Sequence, residues 1–215
     1  MRYTRGDLVI SRFEIIPEQE LLNRLKQTRL QGFGRPFIYE RAELGIVEAV
    51  DPRKLAPAQR FVLTAGVRAI TELANDFEKQ GIDIFGLRGG ILFSTDDHSE
   101  IIPFIPPVIE ESLEPDGRMV WLINDGIHRV YAAMKLGRKL NIVLARNVPR
   151  EYPYYAYALP NGWNDVTEFD ELQDGFQKKT YRDPNGYKAL FRDFNEVLPG
   201  VQKQRKQTNP AHLKA

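Results

Sequence analysis

The sequence predicts a mixed α/β fold: a small mixed sheet, a helical addition on its N-terminal side and an aromatic arm on its C-terminal side. Three observations carry this. Residues 119–145, MVWLINDGIHRVYAAMKLGRKLNIVLA, give strand, turn, helix and strand signals in succession. Residues 58–80 repeat apolar side chains at helical spacing. After Pro149 the texture changes to YPYYAYALPNGW, dense in tyrosine and ending in tryptophan. The 215 residues suffice for one sizeable domain over residues 1–200, with a flexible basic tail over 201–215.

Taken in order, Pro17 to Leu30 predicts a first helix. Proline suits a first turn, and the acids lie early while Lys26 and Arg29 lie late, which complements the helix dipole. Gln31 to Pro36 breaks it; two glycines around Phe33, followed by Arg35, have the look of a phosphate-approaching loop, but a plain helix stop is the favoured reading. Phe37–Glu40 and Leu44–Val50 predict short strands. The turn-rich link from Asp51 to Pro57 leads into the longest helix, Ala58–Gln80, with Phe61, Val62, Ala65, Ala69, Ile70, Leu73 and Phe77 on its apolar face and Gly81 at its end. Residues 81–100 read as irregular around a brief strand at Ile91–Phe93. Asp96, Asp97 and His98 have ion-ligating chemistry, but adjacent side chains diverge, so a surface turn is the plainer reading.

Pro103–Glu110 predicts a strand, and Glu114-Pro115-Asp116-Gly117 a turn that folds it into a hairpin with Met119–Ile123. Then follow a helix with Ile127, Val130, Tyr131 and Met134 on one face, Gly137 where a helix end wants positive φ, and a strand at Leu140–Ala145. The arm, residues 149–200, carries Tyr152, Tyr154, Tyr155, Tyr157 and Trp163, which either wrap the core or line a pocket. Tyr187–Val197 predicts a short helix stopped by Pro199-Gly200. The tail holds Lys203, Arg205 and Lys206, a solvated segment with at most a weak nucleic-acid contact.

Composition narrows the function. Thirty lysines and arginines face 29 acids, so no global field draws the chain to nucleic acid or a membrane surface. The absence of cysteine excludes disulfides, thiolate zinc sites and thiol catalysis. The N-terminus lacks a signal-peptide layout and no run approaches the ~20 apolar residues of a membrane span, so a cytoplasmic location is expected.

The polar residues crowd where the 119–123 strand meets the helix. A helix start offers unpaired N–H groups and the positive end of the dipole. Gly126 permits close approach to the backbone, and His128 and Arg129 add donors in the first turn, so Asn124, Gly126, Ile127, His128 and Arg129 form a candidate phosphate cradle. Asp125 is placed to cap the helix and to face a metal ion or a substrate hydroxyl. Glu110 and Glu111, if they face this corner, share that metal. The plainer reading makes Asp125 an N-cap and His128 and Arg129 surface residues.

INDGIHRVYAAMKLG resembles the signature helix of the ParB/sulfiredoxin superfamily, with Gly126, His128, Arg129, Ala132, Ala133 and Gly137 at the matching positions. LNIVLARNVP and IIPFIPPVIEE resemble the strands on either side, so the likeness covers residues 101–148. It implies a ParB/sulfiredoxin-like fold. Sulfiredoxin chemistry is excluded, because its cysteine falls where Ile127 stands. The free serine kinase branch implies ATP- or ADP-dependent phosphorylation of a small hydroxyl compound such as serine. FIYERAEL resembles its segment bearing the catalytic base, which implies that role for Glu40. Asp125 would then hold Mg²⁺, with Asp125 and His128 as further catalytic groups. The ParB branch implies instead CTP binding and spreading on DNA, as a non-catalytic module. Few residues follow Val148, no helix-turn-helix stands out and the net charge is near zero, so DNA is the weaker expectation. A nuclease would want a carboxylate cluster that the sequence does not display.

Overall fold

A computed structural model describes residues 10–96 and 98–198. Asp97 and the basic tail, with Lys203, Arg205 and Lys206, lie outside the described residues, as does the Pro199-Gly200 stop. The chain runs through β1 (Ile10–Ile16), α1 (Glu18–Leu25), β2 (Arg29–Leu30), β3 (Glu43–Val50), β4 (Phe61–Leu63) and α2 (Thr64–Glu78). It continues through β5 (Gly90–Thr95), β6 (His98–Phe104), β7 (Val108–Leu113), β8 (Met119–Asp125), α3 (Ile127–Lys135), β9 (Leu140–Arg146), β10 (Thr167–Phe169) and β11 (Arg192–Asp193).

A four-stranded sheet in the order β3-β9-β7-β8 positions the site. It is mixed, as expected: β9 runs antiparallel to β3 and parallel to β7, and β7 and β8 form an antiparallel hairpin. Central β9 is buried along six of its seven residues, because both faces of the sheet are covered. Ile142 and Leu144 join the cluster under α2 and α3, with Ile109, Ile123, Val130 and Phe77. Val143 points the other way, into the cluster with Leu21 and Leu25 of α1. A second sheet, β1-β5-β6, packs through Phe93 and Phe104 against the same α2 core.

The structure corrects several sequence expectations. The first helix stops at Leu25, because Arg29 and Leu30 pair with Asp193 and Arg192 of the arm. Residues 37–40 form a turn around buried Ile38 and Tyr39, not a strand. The longest helix starts at Thr64, since Phe61–Leu63 pairs in parallel with Thr167–Phe169, and this distant partner overrides the helical spacing. The strand expected at Pro103–Glu110 is two strands: Pro106 and Pro107, which lack N–H donors, separate β6 from β7. Tyr187–Val197 is two short 3₁₀ turns around β11.

Candidate functional site

The corner between β8 and α3 brings the predicted residues together, with changed roles. β8 extends through Asn124 and Asp125, so Asp125 is not the helix cap. Gly126 is, at φ +92°. Val130 N–H donates to the Gly126 carbonyl, 3.0 Å, which leaves the amides of Ile127, His128 and Arg129 with no acceptor inside the helix. The guanidinium of Arg129 folds back over Gly126: a Cβ there would lie 2.6 Å from Nη2 and 2.7 Å from Nε. Nη2 donates to Asp125 Oδ2 at 2.6 Å, and the buried Nε has no protein acceptor. Glycine is therefore required twice over, by backbone angle and by contact.

His128 turns toward α2. Its Nε2 accepts the Leu63 N–H at 3.0 Å, at the start of α2, and its ring lies where a side chain on Gly66 would stand. An accepting Nε2 makes this imidazole neutral, with its proton on Nδ1. Burial, then the neighbouring Arg129 charge, hold its pKa below the ordinary value. Asn124 also turns inward. Its Nδ2 donates to the Tyr39 hydroxyl at 2.6 Å and to Glu110 Oε1 at 2.7 Å, so it offers no side-chain donor to an anion. What remains for an oxyanion is the run of first-turn amides and the Arg129 guanidinium, both half-buried beside Asp125.

Glu40 is exposed, next in sequence to Tyr39, so the Tyr39–Asn124 hydrogen bond ties its turn to the corner. Glu110 and Glu111 do not supply free metal ligands: Glu111 pairs with Arg146 at 3.0 Å, and Glu110 is sealed in the core. Among the described residues no three acids or histidines converge on a point suited to a cation. A Mg²⁺ that keeps its waters and binds through one carboxylate plus nucleotide phosphates is compatible with Asp125 alone. The glycine-rich 31–36 loop has left-handed backbone at Phe33, Gly34 and Arg35, and Arg35 is paired with Glu196 of the arm.

Sequence reasoning missed the largest polar feature. Glu110 Oε1 and Oε2 accept from Arg192 Nε and Nη2, both at 2.9 Å. Tyr39 donates to the same carboxylate at 2.5 Å, and burial, then the Glu110 charge, push the phenol pKa well up. Two positions along β7, the Ser112 hydroxyl accepts from Arg182, which also reaches Glu114 at 2.7 Å. One polar face of β7 thus clasps the arm. The available signal was the glutamates of VIEESLE directly after the apolar stretch IIPFIPP, and lone arginines among aromatics in TYRDP and LFRDF.

The family model for the ParB CE domain matches residues 20–167, well over half of the chain. The chain belongs to the ParB CE domain family. The match extends the likeness beyond residues 101–148, taking in most of α1, all of α2 and the start of the aromatic arm. No curated protein and no solved structure matches the chain. In this family member no helix among the described residues is long and apolar enough to cross a membrane.

Proposed function

We propose that this ParB CE chain binds a phosphate-bearing small molecule, a nucleotide, at the Asp125–Arg129 corner. The observation that supports it is the left-handed Gly126 opening α3, with the Arg129 guanidinium lying across it and its Nε lacking a protein acceptor. An oxyanion there gains the first-turn amides, the dipole and a charge-assisted bond from Arg129. Mg²⁺ would enter with the phosphates and take Asp125 as its protein ligand.

The test is thermal denaturation with ATP, ADP and CTP, each with and without Mg²⁺. A ligand of the native state adds RT ln(1 + [L]/Kd), about 2.7 kcal/mol at a hundredfold excess over Kd. The expected result is stabilisation by at least one nucleotide, lost in Arg129→Ala while that variant stays folded. Binding to Arg129→Ala equal to that of the natural chain would refute the site.

Phosphotransfer to a small hydroxyl acceptor such as serine is the more specific reading. It is favoured by the Tyr39–Asn124 bond, which holds the Glu40 turn at the corner. Glu40 would take the acceptor proton, and catalysis would rest on positioning and charge neutralisation. The expected outcome is nucleotide consumption on adding L-serine, abolished by Glu40→Ala with nucleotide binding intact. Binding without turnover under any acceptor would leave a non-catalytic nucleotide-binding module. Salt-dependent retardation of duplex DNA by the full chain would favour the DNA-binding reading instead.

A further inference from the structure

A cleft of about 600 Å³ lies on the other side of α3. Its walls come from the turn after Asp51, the β7–β8 hairpin turn, α3, and arm residues 158–166. Tyr131 and Met134 line it from the helix. At 100° per residue Tyr131 stands roughly 200° round α3 from Arg129, and Met134 returns to the side of Tyr131. The body of the helix therefore separates this cleft from the Gly126 corner.

Its aromatic wall is built in advance of any ligand. Trp163 Nε1 donates to the Pro52 carbonyl at 3.1 Å, pinning the arm to the turn opposite. The Trp163 and Tyr131 ring centroids lie 6.0 Å apart. The arm beside them is held by Asp165, which accepts from the Asn161 backbone N–H and from its side-chain amide, each at 3.0 Å.

The same cleft is also lined by cations that are only partly paired. Arg53 reaches Asp51 at 3.8 Å, and its side chain remains 69% exposed. Lys54 makes no ion pair among the described residues. Arg118, at the hairpin end, is held by Asp116 at 2.6 Å. An aromatic wall sharing one cleft with two under-used cations, in a volume ordinary for small-molecule sites, suits one ligand chemistry.

We propose that this cleft is a second binding site, for a small aromatic anion whose planar ring lies against Trp163 and Tyr131 and whose carboxylate or phosphate is held by Arg53 and Lys54. Ring and charge must belong to one molecule, since each half alone forfeits the other wall. The site is independent of the corner proposed above for nucleotide phosphates.

The test is calorimetric titration of the full chain with phenyl phosphate and with benzoate, using phenol and inorganic phosphate as half-ligands. The two aromatic anions distinguish a phosphate from a carboxylate head group. At least one is expected to bind roughly tenfold more tightly than either half-ligand. The Arg53→Ala/Lys54→Ala double variant, altered only at the surface, should lose that advantage, as should Trp163→Leu. Arg129→Ala should keep it. Failure of both anions to bind overturns the proposal, as does unchanged affinity in the double variant. Loss in Arg129→Ala overturns it too, by placing the probe at the corner; retained binding there, with nucleotide binding also retained, would instead refute the corner alone.

Discussion

Arg192, under the C-terminal arm, places every one of its five N–H donors. Two go to Glu110, and the others to the carbonyls of Pro153, Leu190 and Tyr152. Arg129, at the β8–α3 corner, holds Asp125 with Nη2, and its buried Nε finds no protein acceptor. The same guanidinium is thus complete in one region and incomplete in the other. A completed, dry network can only be disturbed by substitution, so it serves the fold. An incomplete one beside half-buried first-turn amides is where the proposed ligand would have donors left to engage. Both regions meet at Asn124, whose amide bonds to Glu110 while its backbone leads into Gly126.

The contrast breaks most decisively at Arg192. Its replacement by leucine strands the Glu110 carboxylate, whose side chain is 3% exposed. Removing one member of a buried pair costs about 3–5 kcal/mol. Urea denaturation should show that loss, and a cost below ~1 kcal/mol would mean that water reaches Glu110 and that the network is not the scaffold described. Glu110→Gln combined with Arg192→Leu should recover part of the loss, because the stranded charge is gone.

His128 sharpens the comparison from the corner's inner side. His128→Ala leaves the Leu63 N–H without its acceptor at the start of α2, a cost of roughly 1–3 kcal/mol. The pH dependence has a definite sign. Burial depresses the folded-state pKa below 6.5, so the unfolded chain binds a proton that the folded chain refuses. The stabilising contribution is therefore full above about pH 6.5 and is lost as pH falls through the depressed folded value. Denaturation midpoints between pH 8 and pH 5 should fall in the natural chain and fall less in His128→Ala. Equal slopes would show that this imidazole is not held neutral.

Gly126→Ala follows. A left-handed backbone costs an L-residue about 1–2 kcal/mol, and the new methyl also displaces the Arg129 guanidinium. Because that side chain is flexible, stability should drop moderately while nucleotide binding drops further. A variant that loses neither would remove the close approach on which the corner depends.

How much of this was legible beforehand depends on the range of the interactions. The β8–α3–β9 run was readable because strand alternation, a glycine turn and helical spacing are all local, and Gly137 does take φ +63°. β4 was not, because its partner lies about a hundred residues later in β10, and FVL runs smoothly into the apolar period of α2. Asp125, read as a cap, became a strand end once β8 paired with Val108 of β7. The direction of His128 needed Gly66, and the purpose of Glu110 needed Arg192, 82 positions away. A sequence shows that a charge sits in an apolar run; only the fold shows whether another charge meets it. That the corner's residues adjoin one another follows from their order; which of their donors the fold already spends was not readable from order alone.

The smallest expected effect is the Asp125–Arg129 coupling itself. The pair is four residues apart, Asp125 at the end of β8 and Arg129 in the first turn of α3, and the Asp125 side chain is 39% exposed. Solvent screening reduces such a contact to a few tenths of a kcal/mol, well under ~1 kcal/mol. A double-mutant cycle with Asp125→Asn and Arg129→Ala should return a coupling of that size, shrinking further in high salt. Set beside the several kcal/mol at Glu110–Arg192, it measures how loosely the corner arginine is held. A coupling above ~2 kcal/mol would mean that Arg129 is held as firmly as Arg192, leaving nothing over for an incoming phosphate.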